Sequence, residues 1–327
     1  MLGRMVVRPS PIVSVLLSVT FLCAFLNEST DRGVNAAGPQ YVLVENWVQS
    51  PLGEKIGGVS SVDVDPDGVL YVFRRTLGDV RTSGSVWTFE PSGKFLREWQ
   101  KGIAKQAHTI YVDHNRFIWT VDSKGHQVKK FTSDGKLVMS LGQYDLAGNG
   151  PSRFNQPTDV VVVQNGDVFI TDGYGNQRVV KFNKDGKFLK EWGVKGVGPG
   201  QFRVPHAIVQ DSRGRLLVGD RCGSTTAGNA GCTDGRIQIF DTEGKFLEEW
   251  THLGLPFGLH ISKDDTLYVS DLQNARISLV DARTGKLLET LERVRGGHNI
   301  SVDPAGNVYV ASLGDKGGVL RYTRDRR

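Results

Sequence analysis

Three histidines stand at equivalent places in this 327-residue chain. They occur in Ala107-His108-Thr109-Ile110, Pro205-His206-Ala207-Ile208 and Gly297-His298-Asn299-Ile300. Each lies two residues before an aliphatic residue that opens a strand-like run. The whole chain has only seven histidines, so three in one sequence context point to a shared task. Three neutral imidazoles without a fourth protein ligand are the donor set of a catalytic zinc with one open position. Copper, nickel and iron also accept imidazole. The plainer alternative is three structural histidines bonded to strand-end carbonyls.

The elements that must position them repeat along the chain. The clearest unit starts at Thr158-Asp159-Val160 and ends at Trp192. It reads as a strand, a turn at Asn165-Gly166, a second strand to Thr171, a third over 178–182, a turn at Lys184-Asp185-Gly186, and a fourth strand. Four short antiparallel strands per repeat are the signature of a propeller blade. The first aliphatic of each unit sets a register: Val62, Ile110, Val160, Ile208, Leu259 and Ile300. Twelve positions later stand Arg74, Asp122, Asp172, Asp220, Asp271 and Ser312. The sixth unit ends without a fourth strand, and Tyr41 to Trp47 has the form of the missing one. The spacing therefore predicts an all-β, six-bladed propeller closed by the N-terminal strand completing the last blade. Such closure removes an open sheet edge.

Two before each register residue stand Ser60, His108, Thr158, His206, Phe257 and His298. The histidines thus fall in alternate blades and converge on the axis. The second strand runs back to the same mouth, bringing Arg75, Tyr174 and Arg221 around them. Paired guanidiniums suit a carboxylate, because Arg offers planar bidentate donors. Tyr174 is then a candidate base. Taken singly, each is more often a surface arginine or a packing tyrosine. Main-chain carbonyls of Val62 and Ile110, with Asn299, face the same channel and could hold calcium; a buried water is the alternative.

Composition agrees with a single folded body. The chain is 39% hydrophobic and 23% charged, with 40 glycines for its turns. A net charge of +5 without a basic stripe argues against nucleic acid. Arg4 and Arg8 precede an apolar run over 12–26 and the small residues Val34-Asn35-Ala36-Ala37-Gly38. This reads as an export signal over 1–37, leaving the propeller over 38–327. The run is short for a bilayer span, although an uncleaved anchor is the alternative. The mature protein is expected to be secreted or periplasmic, without stable membrane insertion, and monomeric. In that setting Cys222 and Cys232 favour a disulfide over a Cys-only zinc site.

At these residues the chain resembles peptidyl-α-hydroxyglycine α-amidating lyase (peptidylamidoglycolate lyase), built on NHL repeats. The most specific stretches are Gln156-Pro157-Thr158-Asp159-Val160, Asp172-Gly173-Tyr174, Val204-Pro205-His206 and Gly235-Arg236-Ile237-Gln238. The resemblance implies zinc on His108, His206 and His298, with Tyr174, Arg75 and Arg221 as catalytic residues. It also implies calcium on the carbonyls of Val62 and Ile110 and on an Asp that is Asn299 here. A family Met before the third His is Gly296, and a Cys after the tyrosine is Gly175. The implied reaction cleaves a C-terminal α-hydroxyglycine to a peptide amide and glyoxylate, so the implied partner is a small-molecule or peptide C-terminal substrate. Two other classes compete: a non-catalytic NHL-repeat binding propeller with a structural metal, and a lactonase. Lactonase-type sites centre on carboxylates and calcium, whereas this mouth is rich in His and Arg.

Overall fold

The computed structural model describes residues 41–51, 54–75, 84–222, 235–313 and 318–324. The expected export signal and Cys232 lie outside the described residues. Among the described residues, no helix is long and apolar enough to cross a membrane.

Six four-stranded antiparallel sheets follow one another along the chain. Their inner strands are Val59–Val64, Ala107–Val112, Asp159–Val162, Val204–Gln210, Gly258–Ile261 and Asn299–Val302. The propeller expected from the repeat is therefore present. Second strands such as Val168–Asp172 are buried along their whole length, which explains their unbroken apolar runs. Fourth strands such as Phe188–Trp192 alternate between half-buried and exposed, as expected of a strand with one face in solvent.

The sequence register is also the pairing register. Val62 faces Val72, Ile110 faces Thr120 and Val160 faces Ile170. Ile208 faces Val218, Leu259 faces Val269 and Ile300 faces Val310. The acid twelve residues past the register position ties down the loop that enters its own blade. Asp122 accepts the N–H groups of Lys105 and Gln106, and Asp220 accepts those of Arg203 and Val204. In blade one Arg74 serves the same loop with reversed polarity. Its guanidinium donates to the carbonyls of Ile56 (2.7 Å) and Lys55 (3.1 Å).

Trp99, Trp192 and Trp250 recur in the sequence where fourth strands end, and each meets a Gly-Lys turn of the next blade. A Cβ on Gly135 would lie 2.9 Å from the Trp99 ring, and Cβ atoms on Gly244 and Gly285 would lie 2.6 Å from Trp192 and Trp250. Each indole at the end of a fourth strand thus fills the space left by a glycine in the next blade. All three glycines have positive φ, so the turn needs Gly twice over. Apolar clusters continue this contact inward. One joins Phe169 and Val179 of blade three to Ile208, Val218 and Phe240 of blade four. Each fully buried side chain of this size contributes about 1.5–3 kcal/mol.

The ring closes as the repeat requires, with a shorter strand. Tyr41–Val44 pairs with Gly318–Arg324, Tyr41 opposite Arg324 and Val44 opposite Arg321. The strand stops at Val44 because Glu45-Asn46 forms a turn, with Asn46 at φ 52°. That turn swings Trp47 into the core, edge-on to Tyr309 at 5.2 Å. Trp47 also meets Gly93 of blade one, where a Cβ would lie 2.1 Å from the Trp47 carbonyl oxygen and 3.1 Å from its ring.

Candidate metal centre

The histidines reach the axis through irregular backbone. In blades two and four the pairing skips one residue, His108 between Ala107 and Thr109 and His206 between Pro205 and Ala207. Such a bulge re-aims the side chain of the unpaired residue. His298 precedes its strand and follows Gly296 (φ 81°) and Gly297 (φ 109°). The N–H groups of Gly297 and His298 both donate to the Ala311 carbonyl. The ring centroids of His108 lie 4.8 Å from His206 and 4.9 Å from His298, and those of His206 and His298 lie 5.3 Å apart. All three imidazoles are buried, and their ligand atoms lie within 4.8 Å of one another.

Main-chain carbonyls behind the rings set the tautomers. His206 Nδ1 donates to the Phe257 carbonyl at 2.6 Å, and His298 Nδ1 to the Ser60 carbonyl at 2.7 Å. His108 Nδ1 faces the Thr109 hydroxyl at 3.3 Å and the Thr158 carbonyl. A proton held on each Nδ1 leaves three Nε2 lone pairs converging. Burial pushes all three imidazoles below their ordinary range, His298 to about 4, so they are neutral near pH 7. For His108 the neighbouring His298, Arg75 and Arg221 add to burial, while the Thr158 carbonyl opposes it.

The Tyr174 hydroxyl meets two of these nitrogens, His108 Nε2 at 3.0 Å and His206 Nε2 at 2.9 Å. One O–H cannot donate to both. The pocket therefore carries more converging lone pairs than protons, a donor set that suits a cation. Carbonyl-oriented imidazoles are the usual support of a bound metal. The three-histidine group could hold one.

Each residue expected at the mouth is brought there. Tyr174 follows the second strand of blade three, where its N–H meets the Gln156 carbonyl. Beside it Gly175 lies so close to Asn155 that no side chain fits, which accounts for glycine there. Arg221 ends the second strand Leu216–Arg221 and is 7% exposed. Its Nη1 donates to the Cys222 carbonyl at 2.8 Å and its Nη2 to the Tyr174 hydroxyl at 3.3 Å. Its Nε is buried without a partner. Arg75 follows Leu70–Arg74. Burial holds its guanidinium below the usual range, and nearby Tyr174 pushes it back up. Among the described residues neither arginine has a carboxylate partner. The mouth is thus positively charged, which suits an anionic group. Cys222 is disulfide-bonded; its expected partner Cys232 lies outside the described residues.

Residues 154–182 match the NHL repeat family. Over 304 residues the chain is 32% identical to "NHL repeat-containing protein 3" of Homo sapiens, covering 84% of this chain and 82% of that protein. The chain belongs to the NHL-repeat family. It is also 27% identical over 285 residues to the "Probable peptidyl-alpha-hydroxyglycine alpha-amidating lyase" of Caenorhabditis elegans, covering 80% of this chain and 81% of that one. Among solved structures, one titled "Streptogramin B lyase structure" shares the fold, with a TM-score of 0.56 and 15% identity over 87% of this chain and 98% of that one.

Along the axis of this NHL propeller, Val62, Ile110 and Asn299 line a cavity of about 320 Å³. Asn299 Oδ1 accepts the Val62 N–H at 3.1 Å, and the Ser61 hydroxyl donates to the Ile110 carbonyl at 3.3 Å. Two buried acids that sequence reasoning did not single out share this cavity. Asp63 Oδ2 accepts the Val112 N–H and Asp159 Oδ2 accepts the Ile208 N–H, each reaching from its own blade to the next. Burial pushes Asp63 up to about 6 and Asp159 to about 7, against those N–H bonds. Sequence reasoning also gave Phe257 no role, although it shares the histidine register.

Proposed function

We propose that this NHL propeller is a zinc-dependent lyase that cleaves a peptidyl-α-hydroxyglycine, or a similar α-hydroxy-amide, to an amide and glyoxylate. The observation that carries the reading is the position of the Tyr174 hydroxyl. It touches two histidines of the candidate metal group and the guanidinium of Arg221 at once. A metal-ligand set, a proton acceptor and an anion anchor thus share one pocket. The similarity to the worm protein named as such a lyase supports the same reading.

Zinc held by His108, His206 and His298 would supply Lewis acidity at the substrate hydroxyl. Tyr174, as general base, takes the proton from that hydroxyl. The carbon–oxygen bond becomes a carbonyl as the carbon–nitrogen bond breaks. The electron pair leaves with the amide nitrogen, which recovers the proton from Tyr174. The products are a primary amide and an aldehyde, so no oxidant or reductant is needed. Arg221 holds the substrate carboxylate through its unpartnered Nε and adjacent Nη2, and Arg75 adds a second positive charge near Tyr174. The disulfide at Cys222 supports action in an oxidising compartment, outside the cytosol. A structural calcium at Val62, Ile110 and Asn299 belongs to the same reading; a melting temperature unmoved by a calcium chelator would remove it.

The deciding experiment supplies zinc-loaded protein with α-hydroxyhippurate and measures glyoxylate. Release above the metal-free background supports the lyase. No release from a protein that binds metal stoichiometrically replaces it with a binding propeller carrying a structural metal.

A further inference from the structure

Phe257 stands in blade five at the register position that carries histidine in blades two, four and six. Its main chain is held by the bond from its N–H to the Ser270 carbonyl. Its own carbonyl accepts the proton on His206 Nδ1. Its ring does something different. The Arg221 guanidinium carbon lies 4.5 Å from the ring centroid, closer than the 5.6 Å to the Tyr174 ring. The same ring lies 5.6 Å from the His206 ring.

Arg221 is otherwise weakly held. Among the described residues its hydrogen bonds are one to the Cys222 carbonyl and one long contact to Tyr174, and no carboxylate there pairs with it. A buried guanidinium with a bare Nε needs something to fix its plane. An aromatic face does this without consuming an N–H.

We infer that Phe257 is a positioning residue whose ring fixes Arg221, leaving Nε and the remaining Nη2 proton free for a substrate carboxylate. This rests on the proposed role of Arg221. One residue thereby serves both halves of the site through different atoms, the carbonyl for His206 and the ring for Arg221. Changing the side chain separates the two, because the carbonyl stays.

The test compares Phe257→Leu and Phe257→Tyr with wild type. Hippurate carries the carboxylate but lacks the α-hydroxyl, so its binding reports on the anchor without turnover. Phe257→Leu should bind hippurate about tenfold more weakly, and Phe257→Tyr should restore the affinity. Both should keep wild-type metal content. With α-hydroxyhippurate, the leucine variant should raise KM more than it lowers kcat. A leucine variant that binds hippurate as wild type does, or that loses its metal, overturns the inference. A crystal structure of the same variant decides the point independently of turnover. A displaced Arg221 upholds the inference, and an unmoved one overturns it. If hippurate binding behaves as expected while wild type releases no glyoxylate, the lyase reading falls and the positioning role stands.

Discussion

The Tyr174 hydroxyl lies 2.9 Å from His206 Nε2. The two side chains come from different blades, one from a turn after a second strand and the other from a bulge in an inner strand. Neither position makes sense without the other. Re-aimed at the bulge, His206 brings its nitrogen to the axis, and the return of the second strand brings the phenol to the same level.

Removal of one imidazole should empty the metal centre. His206→Ala deletes an Nε2 donor and leaves the Phe257 carbonyl without its N–H. Metal affinity should fall by more than about 100-fold, the upper end of what loss of a mere supporting contact costs. Elemental analysis of dialysed protein checks this; full occupancy in the variant would exclude His206 as a ligand.

Tyr174→Phe should keep the metal and lose the chemistry. The three Nδ1 contacts are untouched, so metal content should equal that of wild type. Glyoxylate release should fall by about 10²–10⁴-fold. Equal rates in the two proteins would show that Tyr174 is not the base.

Asp159 gives a pH dependence with a definite sign. Burial raises it from 3.8 to about 7 in the folded protein, so the folded state holds its proton more tightly than the unfolded chain. Its contribution to stability is complete below pH 4 and is lost as pH rises to 7, by a few kcal/mol, roughly 1.4 for each pKa unit. Asp159→Asn imitates the protonated form. The melting temperature of the variant minus that of wild type should therefore grow between pH 4 and 7 and then level off. A difference independent of pH over that range would show that Asp159 is not the group responsible.

Trp47→Ala should weaken ring closure. It removes the edge contact with Tyr309 and the indole contact at Gly93, while the Trp47 carbonyl there stays. Urea unfolding should show a loss of about 3 kcal/mol. A loss below about 0.5 kcal/mol, the range of ordinary surface changes, would mean the closure does not depend on this indole.

The parts of the molecule that repeat were legible in the sequence, and the parts that break the repeat were not. The aliphatic register from Val62 to Ile300 carried the blade count, the pairing and the convergence of three histidines. The recurrence of Trp99, Trp192 and Trp250 was visible, but their seats on glycines of the next blade were not, because a repeat reports intervals and not neighbours. Arg74 looked like an exception among aspartates; only three-dimensional contacts show it holding the same loop with opposite polarity. Asp63 and Asp159 were not singled out, since burial at an axis leaves no mark on composition. Phe257 was in the right register but carried no donor atom to draw notice, and its use of a main-chain carbonyl is invisible in any side-chain pattern.

Because Tyr41 faces Arg324, the sheet that shuts the ring draws on both extremes of the described chain. During synthesis the first strand emerges long before its partner exists. Blades one to five can then form only an open arc with two raw ends. Pairing across so long a separation makes closure the slow and aggregation-exposed stage of folding. A truncation removing only Gly318–Arg324 would therefore cost more than one strand. It would release Tyr41–Val44 and loosen the seat of Trp47 on blade one, so damage at one end of the described chain would be felt at the other.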